Sequence, residues 1–209
     1  MQRCTVIRVA VYVDGFNLYF GLRERYGRKY LWLDLQVLAA SLLRPDQSLE
    51  KVRYFTARVR NDVAGEQRQS DYLDALGERS PLVEIRDGRF QEKDRRCREC
   101  GSTWKVFEEK ETDVNIAVAL MGDAVRNHFD TALLVSADSD LCPAVRETKS
   151  LFPDKRIIVA FPPSRHSAEL KRVVDGFVFI GDDKIRRGQL PDSVVTKADI
   201  VLRRPKHWS

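Results

Sequence analysis

Three short acidic segments lie far apart in the chain. They are Asp-Gly-Phe-Asn at 14–17, Glu-Thr-Asp at 111–113 and Ser-Ala-Asp-Ser-Asp at 136–140. Each follows an apolar run or opens a helical pattern, and in an open parallel sheet such positions meet outside the carboxyl ends of the strands. Carboxylates gathered there repel by about 4 kcal/mol per close pair at an effective dielectric constant of 20. Because a divalent cation relieves this repulsion, the pattern predicts a metal site.

The first two segments also have purely structural explanations. Asp14 ends an apolar run and Asn17 lies in the next turn, where its amide can point into the same crevice, but an Asp that caps a helix explains the pair equally well. Asp113 lies in the first turn of a helical pattern, where the helix dipole favours an acid for stability alone. Asp123, further along that helix, is predicted to be solvated surface.

The third segment is the most specific. An apolar strand at 131–135 leads into Asp138 and Asp140, two residues apart, where the chain turns into a helix. Asp138 is predicted to point into the crevice, Asp140 to lie in the first helical turn, and Ser136 to contact a ligated water or the substrate. A helix cap needs one Asp or Ser, so this cluster favours a functional role.

A second candidate site is the pair Cys97 and Cys100, which resembles half of a zinc knuckle. A closed structural zinc site needs four ligands, and the chain has no second Cys-x-x-Cys pair. A zinc shared between two chains and a degenerate site without metal remain open, and zinc is the less favoured interpretation. Trp104 and the basic residues around the pair suit phosphates and a stacked base, although a solvated loop explains them nearly as well.

A third candidate follows the strand at 156–161. The segment Pro-Pro-Ser-Arg-His-Ser at 162–167 opens a helix, so it reaches the same edge of the sheet. Arg165, His166 and Lys171 are predicted to contact a substrate phosphate near the start of that helix. Helix capping alone explains the serines.

These segments are held by an alternation of strands and helices. Strands are predicted at 9–13, 52–59, 82–90, 131–135, 156–161 and 177–180, and helices at 31–43, 64–77, from Thr112 onward, 141–150 and 167–174. Val114, Ala117, Val118, Met121 and Val125 are expected to form the inner face of the helix that Thr112 caps. This order predicts an α/β fold with a mostly parallel sheet and helices on both faces. Residues 1–181 are expected to form one domain with a polar insertion at 91–110, followed by a basic tail or edge extension at 182–209.

Three of the segments resemble the signature segments of the NYN domain family, which is related to the PIN-like nucleases. They are Val-Tyr-Val-Asp-Gly-Phe-Asn at 11–17, Lys-Glu-Thr-Asp-Val-Asn-Ile at 110–116 and Leu-Leu-Val-Ser-Ala-Asp-Ser-Asp at 133–140, and the branch is that of small bacterial proteins. The resemblance implies a Rossmann-like PIN/NYN three-layer fold and a Mg²⁺- or Mn²⁺-dependent ribonuclease site. Asp14, Asp113, Asp138 and Asp140 would be its metal-linked acids, supported by Asn17. Many members of the family carry a further acid where this chain has Ala119, so the site of this chain would have one carboxylate fewer.

Composition narrows the function classes. The 209 residues carry a formal net charge of +5, which favours a polyanionic partner such as RNA. No apolar run is long enough to span a membrane and the N-terminus does not resemble a signal peptide, so we expect a cytoplasmic protein, with a homodimer as one option. The leading hypothesis is a metal-dependent endoribonuclease that hydrolyses RNA phosphodiester bonds. The alternative is a catalytically weak or inactive RNA-binding or protein-interaction module that keeps the nuclease fold. Phe16 stands where haloacid dehalogenase phosphatases need a second Asp, and no P-loop pattern is present.

Overall fold

The computed structural model of the protein describes residues 6–60 and 62–208, and for residues 89–92 and 106–110 it describes the backbone alone. The strands are β1 Ile7–Asp14, β2 Gln47–Ala57, β3 Val83–Arg96, β4 Thr103–Lys110, β5 Thr131–Val135, β6 Arg156–Phe161, β7 Gly176–Phe179, β8 Ser193–Val195 and β9 Val201–Arg203. The helices are α1 Gly15–Tyr26, α2 Leu35–Leu42, α3 Val63–Arg79, α4 Thr112–Val125, α5 Cys142–Leu151, α6 Ala168–Val173 and α7 Asp182–Arg187. Short 3₁₀ helices cover Ser139–Leu141 and Lys206–Trp208.

The predicted mostly parallel sheet is confirmed. Seven strands form one sheet in the order β4-β3-β2-β1-β5-β6-β7, and only β4 runs antiparallel to its neighbour. The central strand β1 pairs with β2 and β5, which places Asp14 opposite Phe55 and Val13 opposite Val135. The strands that follow β1 in the chain are first added on one side of it and later on the other, so β1 lies at the topological switch point of the sheet. In open α/β sheets, ligands bind at the carboxyl edge beside this point.

Alternation along β1 divides the core into two layers. Val9, Val11 and Val13 belong to the apolar cluster under α1, α2 and α3, whereas Ala10 and Tyr12 belong to the cluster under α4, α5 and α6. Side chains in a strand point to opposite faces with a period of two. Asp14 shares the parity of Tyr12, so it emerges on the side of the sheet that α4 covers.

The predicted inner face of α4 is wrong. Val114, Val118 and Val125 are 63%, 65% and 68% exposed, and the buried side chains are instead Thr112, Ile116, Leu120, Asp123 and Ala124. The helix carries two apolar stripes, and helical spacing alone does not tell which one packs on the sheet. Thr112 is also the first helical residue and not the cap, which is Glu111 with a left-handed φ of 78°.

Asp123 is buried, which contradicts its assignment to solvated surface. Arg53 of β2 donates to both of its oxygens at 2.8 and 2.7 Å, and the Tyr12 hydroxyl donates to Oδ2 at 2.8 Å. His128 Nδ1 lies 3.2 Å from Oδ1. Burial alone would raise the pKa of Asp123, but these hydrogen bonds outweigh it and hold the pKa below its ordinary value. The network fastens the C-terminal turn of α4 to β1 and β2.

Three further segments differ from prediction. The helix predicted at 31–43 begins only at Leu35. Asp34 caps it, because its side chain accepts hydrogen bonds from Gln36 N and Val37 N. The insertion at 91–110 is the outer part of a hairpin in which β3 continues through Asp87 and Gly88 and pairs with β4. The segment after residue 181, predicted as a basic tail or edge extension, forms α7 and the β8–β9 hairpin and buries Trp208 against Trp32 and Tyr72.

The start of α1 depends on a glycine. A Cβ at Gly15 would lie 2.5 Å from the Phe55 carbonyl oxygen and 2.8 Å from the Tyr54 ring, closer than real Cβ contacts. Gly15→Ala should lower the free energy of unfolding by about 1–3 kcal/mol, as overpacking usually does. Gly77→Ala, inside α3 with nothing within 4 Å, should instead raise it by about 0.5–1 kcal/mol. Urea denaturation of both variants measures this, and equal effects would contradict the close approach at Gly15.

None of the helices in residues 6–60 and 62–208 combines the length and apolar composition that a membrane span requires.

Candidate metal centre

Three acids from distant parts of the chain meet at the carboxyl edge of the sheet. Asp14 ends β1, Asp113 lies in the first turn of α4, and Asp138 follows β5. Each offers a carboxylate oxygen, and these oxygens all lie within 4.8 Å of one another. Asp14 is buried, and the other two are half-buried. One small ligand can therefore contact all three.

Asp14 is held from two sides. One oxygen accepts a hydrogen bond from the Asn17 backbone N–H at 3.0 Å, which caps α1, and the other accepts from the Ser136 hydroxyl at 2.8 Å. Burial raises the pKa of Asp14, and the nearby charge of Asp138 raises it further. The two hydrogen bonds lower the pKa, but burial is the largest effect and the net shift is upward. A cation at this position would favour the ionised form that burial penalises.

Ser136 and Asn17 join the acidic segments to each other. The Ser136 hydroxyl accepts from the Asp138 backbone N–H at 3.0 Å while it donates to Asp14, so it links two of the acids. Ser136 is buried, and the water or substrate contact predicted for it stays a prediction. The Asn17 amide oxygen accepts from Ala137 N at 3.1 Å and ties α1 to the loop after β5. Both side chains therefore position the carboxylates.

The donor set suits a hard divalent cation. Mg²⁺ and similar ions prefer oxygen ligands at about 2.0–2.6 Å, and two ligands of one ion are then at most about 4–5 Å apart. The observed separation of up to 4.8 Å needs little movement to meet that limit. Asp14, Asp113 and Asp138 are therefore the residues that fit a bound ion.

Asp140 is not part of this group. Its side chain is exposed in the 3₁₀ turn, and its backbone N–H donates to Asp138 Oδ1 at 2.9 Å. In the part of the chain that the structure describes, the acids close enough to share an ion are the three named above. Asp140 instead helps to orient Asp138 through its main chain.

The loop at 162–167 packs against α1. A Cβ at Gly21 would lie 2.5 Å from the Pro163 carbonyl oxygen, and Arg165 lies 3.3 Å from Glu24 across the same contact. His166 is exposed, and Lys171 stands over the rings of Phe161, Phe177 and Phe179 at 4.8–5.5 Å. The phosphate contacts predicted for Arg165, His166 and Lys171 stay predictions.

Cys97 and Cys100 lie at the tip of the β3–β4 hairpin. The turn is closed by Cys97 N–H donating to the Ser102 carbonyl at 2.8 Å. Hydrogen bonds from Ser102 and from Cys97 lower the pKa of Cys100 to about 7. Among the described residues this pair does not belong to a set of three metal ligands, and zinc binding there stays a prediction. Cys142 is buried, and Cys4 lies outside the described residues.

The sequence did not predict a cavity that lies next to the start of α1. A cavity of about 410 Å³ begins at Gly15, the residue after Asp14, and lies between α1, α3 and the C-terminal 3₁₀ helix. Phe16, Tyr19, Phe20 and Arg23 of α1 all line it. Their spacing of three and four residues marks one helix face, and this was the signal in the sequence that could have revealed the cavity.

A parallel α/β sheet with carboxylates at its switch point defines the class of Rossmann-like proteins that bind their ligands at the carboxyl edge. The family model of the NYN domain matches residues 8–181, and the chain belongs to the NYN domain family, which is a PIN-like nuclease family.

The chain is also similar to two other proteins. The chain is 28% identical to 6-hydroxy-3-succinoylpyridine 3-monooxygenase of Pseudomonas putida, over 88% of this chain and 69% of that protein. It is also similar to the crystal structure of a protein of unknown function from Vibrio parahaemolyticus, with a TM-score of 0.58 and 25% sequence identity, over 88% of this chain and 98% of that one.

Metal binding should stabilise the folded chain. A ligand of the native state at a concentration 100 times its Kd adds about 2.7 kcal/mol, which corresponds to roughly 5–10 °C in Tm for a chain of this size. We expect this rise when Mn²⁺ replaces EDTA in a thermal melt. Asp113→Asn should lose most of it, and an equal rise in wild type and variant would place the ion elsewhere.

Proposed function

We propose that the protein is a metal-dependent ribonuclease that hydrolyses RNA phosphodiester bonds at the centre formed by Asp14, Asp113 and Asp138. The observation that carries this proposal is the meeting of these acids at the switch point of a NYN domain. RNA as the substrate is supported by the net charge of +5, since a positively charged protein attracts a polyanion.

Some residues of the centre would bind the metal ion, and others position those that bind it. Asp14, Asp113 and Asp138 would hold a Mg²⁺ or Mn²⁺ ion, which when bound activates a water and stabilises charge on a phosphoryl oxygen. Ser136 keeps Asp14 and Asp138 in register through its two hydrogen bonds. Asn17 keeps the start of α1 against the loop after β5. With the acids fixed in this way, phosphodiester hydrolysis mainly requires that the substrate be positioned.

The test is cleavage of a mixed RNA pool by purified protein. Fragments should accumulate with Mn²⁺ or Mg²⁺ and not with EDTA. The pool should contain single-stranded and structured RNAs, so that an unknown preference is covered. If protein that takes up Mn²⁺ leaves every RNA intact, the proposal is wrong.

A second candidate is a catalytically weak or inactive RNA-binding module with the same fold. The observation that favours it is Ala119, which packs against the apolar cluster under α4, so the further acid of many NYN members has no counterpart there. RNA binding that survives Asp138→Asn without any cleavage would support this candidate.

A third candidate is a monooxygenase reaction on the pyridine ring of 6-hydroxy-3-succinoylpyridine, the substrate named for the Pseudomonas relative. The aromatic cavity beside Asp14 has room for such a ring. Consumption of 6-hydroxy-3-succinoylpyridine in the presence of oxygen and a nicotinamide reductant would support it. No consumption, together with metal-dependent RNA cleavage, would exclude it.

A further inference from the structure

One face of α1 is aromatic, and it begins two residues after Asp14. Phe16, Tyr19 and Phe20 form one cluster, with the Phe16 and Phe20 rings stacked at 6.4 Å and the Tyr19 and Phe20 rings edge to face at 5.3 Å. Tyr19 and Phe20 are 38% and 50% exposed. Large aromatic side chains normally bury their area, so an exposed cluster next to a candidate site indicates a binding surface.

Arginine side chains lie near these rings and line the same cavity. The Arg23 guanidinium lies 5.6 Å from the centre of the Tyr19 ring and donates to its hydroxyl at 2.7 Å. Arg28 and Arg68 also line the cavity. Asp62 is the acid among the lining residues, and it lies 3.6 Å from Arg68, so the wall as a whole is positive. The surface therefore suits an aromatic group that carries negative charge.

The cavity floor is also aromatic. Tyr54, Tyr72 and Trp208 line it, and the Tyr72 hydroxyl donates to the Leu33 carbonyl at 2.8 Å. The Gln69 amide is engaged with the Val59 N–H and the Ala57 carbonyl. The lining thus offers ring faces and few groups that could read the edge of a base. A volume of about 410 Å³ lies in the range of small-molecule sites.

We propose that this α1 platform, formed by Phe16, Tyr19, Phe20 and Arg23, stacks an unpaired nucleobase of the RNA strand whose phosphate lies at the metal centre. The inference rests on the proposed function and names its substrate class, which is single-stranded RNA with little base preference. Phe20 follows Asp14 by six residues, about 9 Å along the helix, so one strand can reach both. Bases inside a duplex are already stacked and do not reach the rings.

Binding measured without cleavage tests the proposal. In EDTA, fluorescence anisotropy compares a short single-stranded RNA with the same strand carrying abasic positions, and with its duplex. Wild type should bind the intact strand about tenfold more tightly than the abasic strand, since the abasic strand lacks the base that stacks on the rings. Tyr19→Leu and Phe20→Leu should remove that difference, because Leu keeps apolar bulk without a ring face.

Two variants serve as controls. Phe20→Trp keeps a ring and should keep the tenfold difference. Leu151→Ala changes a similarly exposed apolar residue, 54% exposed at the end of α5, and should bind as wild type does. Equal binding of intact and abasic strands by wild type, or an unchanged difference in the Leu variants, would overturn the proposal. So would tighter displacement of the strand by a free hydroxypyridine than by a nucleoside monophosphate.

The two proposals fail separately. Mn²⁺-dependent cleavage of intact and abasic strands at equal rates would overturn base stacking and leave the ribonuclease standing. Base-dependent binding without cleavage of any RNA would support the platform and overturn the ribonuclease.

Discussion

Asp138→Asn is expected to lower the rate of Mn²⁺-dependent RNA cleavage about a thousandfold. Asp138 is one of three acids whose oxygens can reach a common ion, and Asn removes its charge. Metal ions supply several kcal/mol of transition-state stabilisation, and each 1.36 kcal/mol is a factor of ten in rate. The Asn side chain can still accept the Asp140 N–H that caps the 3₁₀ turn, so the fold should be kept.

The matched control is Asp154→Asn. Asp154 is exposed in the turn between α5 and β6, so this variant makes the same charge change away from the centre. It should cleave RNA at the wild-type rate. Initial rates on one RNA at saturating Mn²⁺, with circular dichroism of each variant, give the comparison. Activity of Asp138→Asn within tenfold of wild type would show that the acid does not hold a catalytic ion.

Asp123→Ala should destabilise the protein by about 3–5 kcal/mol. The variant leaves Arg53, whose side chain is 10% exposed, with Glu84 as its remaining acidic partner, and it leaves the buried Tyr12 hydroxyl without its acceptor. Breaking a buried ion pair by removing one partner has this cost, because the remaining charge stays buried. The free energy of unfolding from urea titration measures the loss.

A double variant separates the buried charge from simple loss of packing. Arg53→Met combined with Asp123→Leu removes both charges and should recover much of the stability that Asp123→Ala loses. Asp154→Ala should stay within about 0.5 kcal/mol of wild type, as surface changes do. If Asp123→Ala also lies in that range, α4 is not held by this network.

The same network predicts a dependence of stability on pH. The pKa of Asp123 is lower in the folded chain than its ordinary value. Its stabilising contribution is therefore complete above the unfolded pKa of about 3.9 and is lost as the pH falls through the folded pKa. Between these values the free energy of unfolding of wild type should fall more steeply than that of Arg53→Met combined with Asp123→Leu, and parallel curves would contradict the assignment.

The place where the acids meet could be anticipated from the chain because strand ends are easy to recognise. Asp14 and Asp138 each follow an apolar run, and parallel strands bring such ends to one edge. Sequence spacing could not show that Asp140 would be turned outward, because the 3₁₀ turn that directs its side chain is a local choice of backbone conformation. Nor could it show that Ser136 joins two acids, because that contact spans 122 residues.

The errors on α4 and at the C-terminus have a common cause. Two apolar stripes compete on α4, and the buried one contains Asp123, whose partner Arg53 lies 70 residues away. Trp208 looks like part of a basic end in the sequence, yet it packs on Trp32 and Tyr72. Long-range partners decide both cases, and local patterns carry no information about them.

Anomalous diffraction from a crystal soaked in Mn²⁺ tests the central claim most directly. We expect a peak among the carboxylates of Asp14, Asp113 and Asp138, about 2–2.5 Å from an oxygen of each. The peak should weaken or vanish in Asp113→Asn. A fully soaked crystal with no peak there, or with manganese bound at another group of residues, would contradict the account.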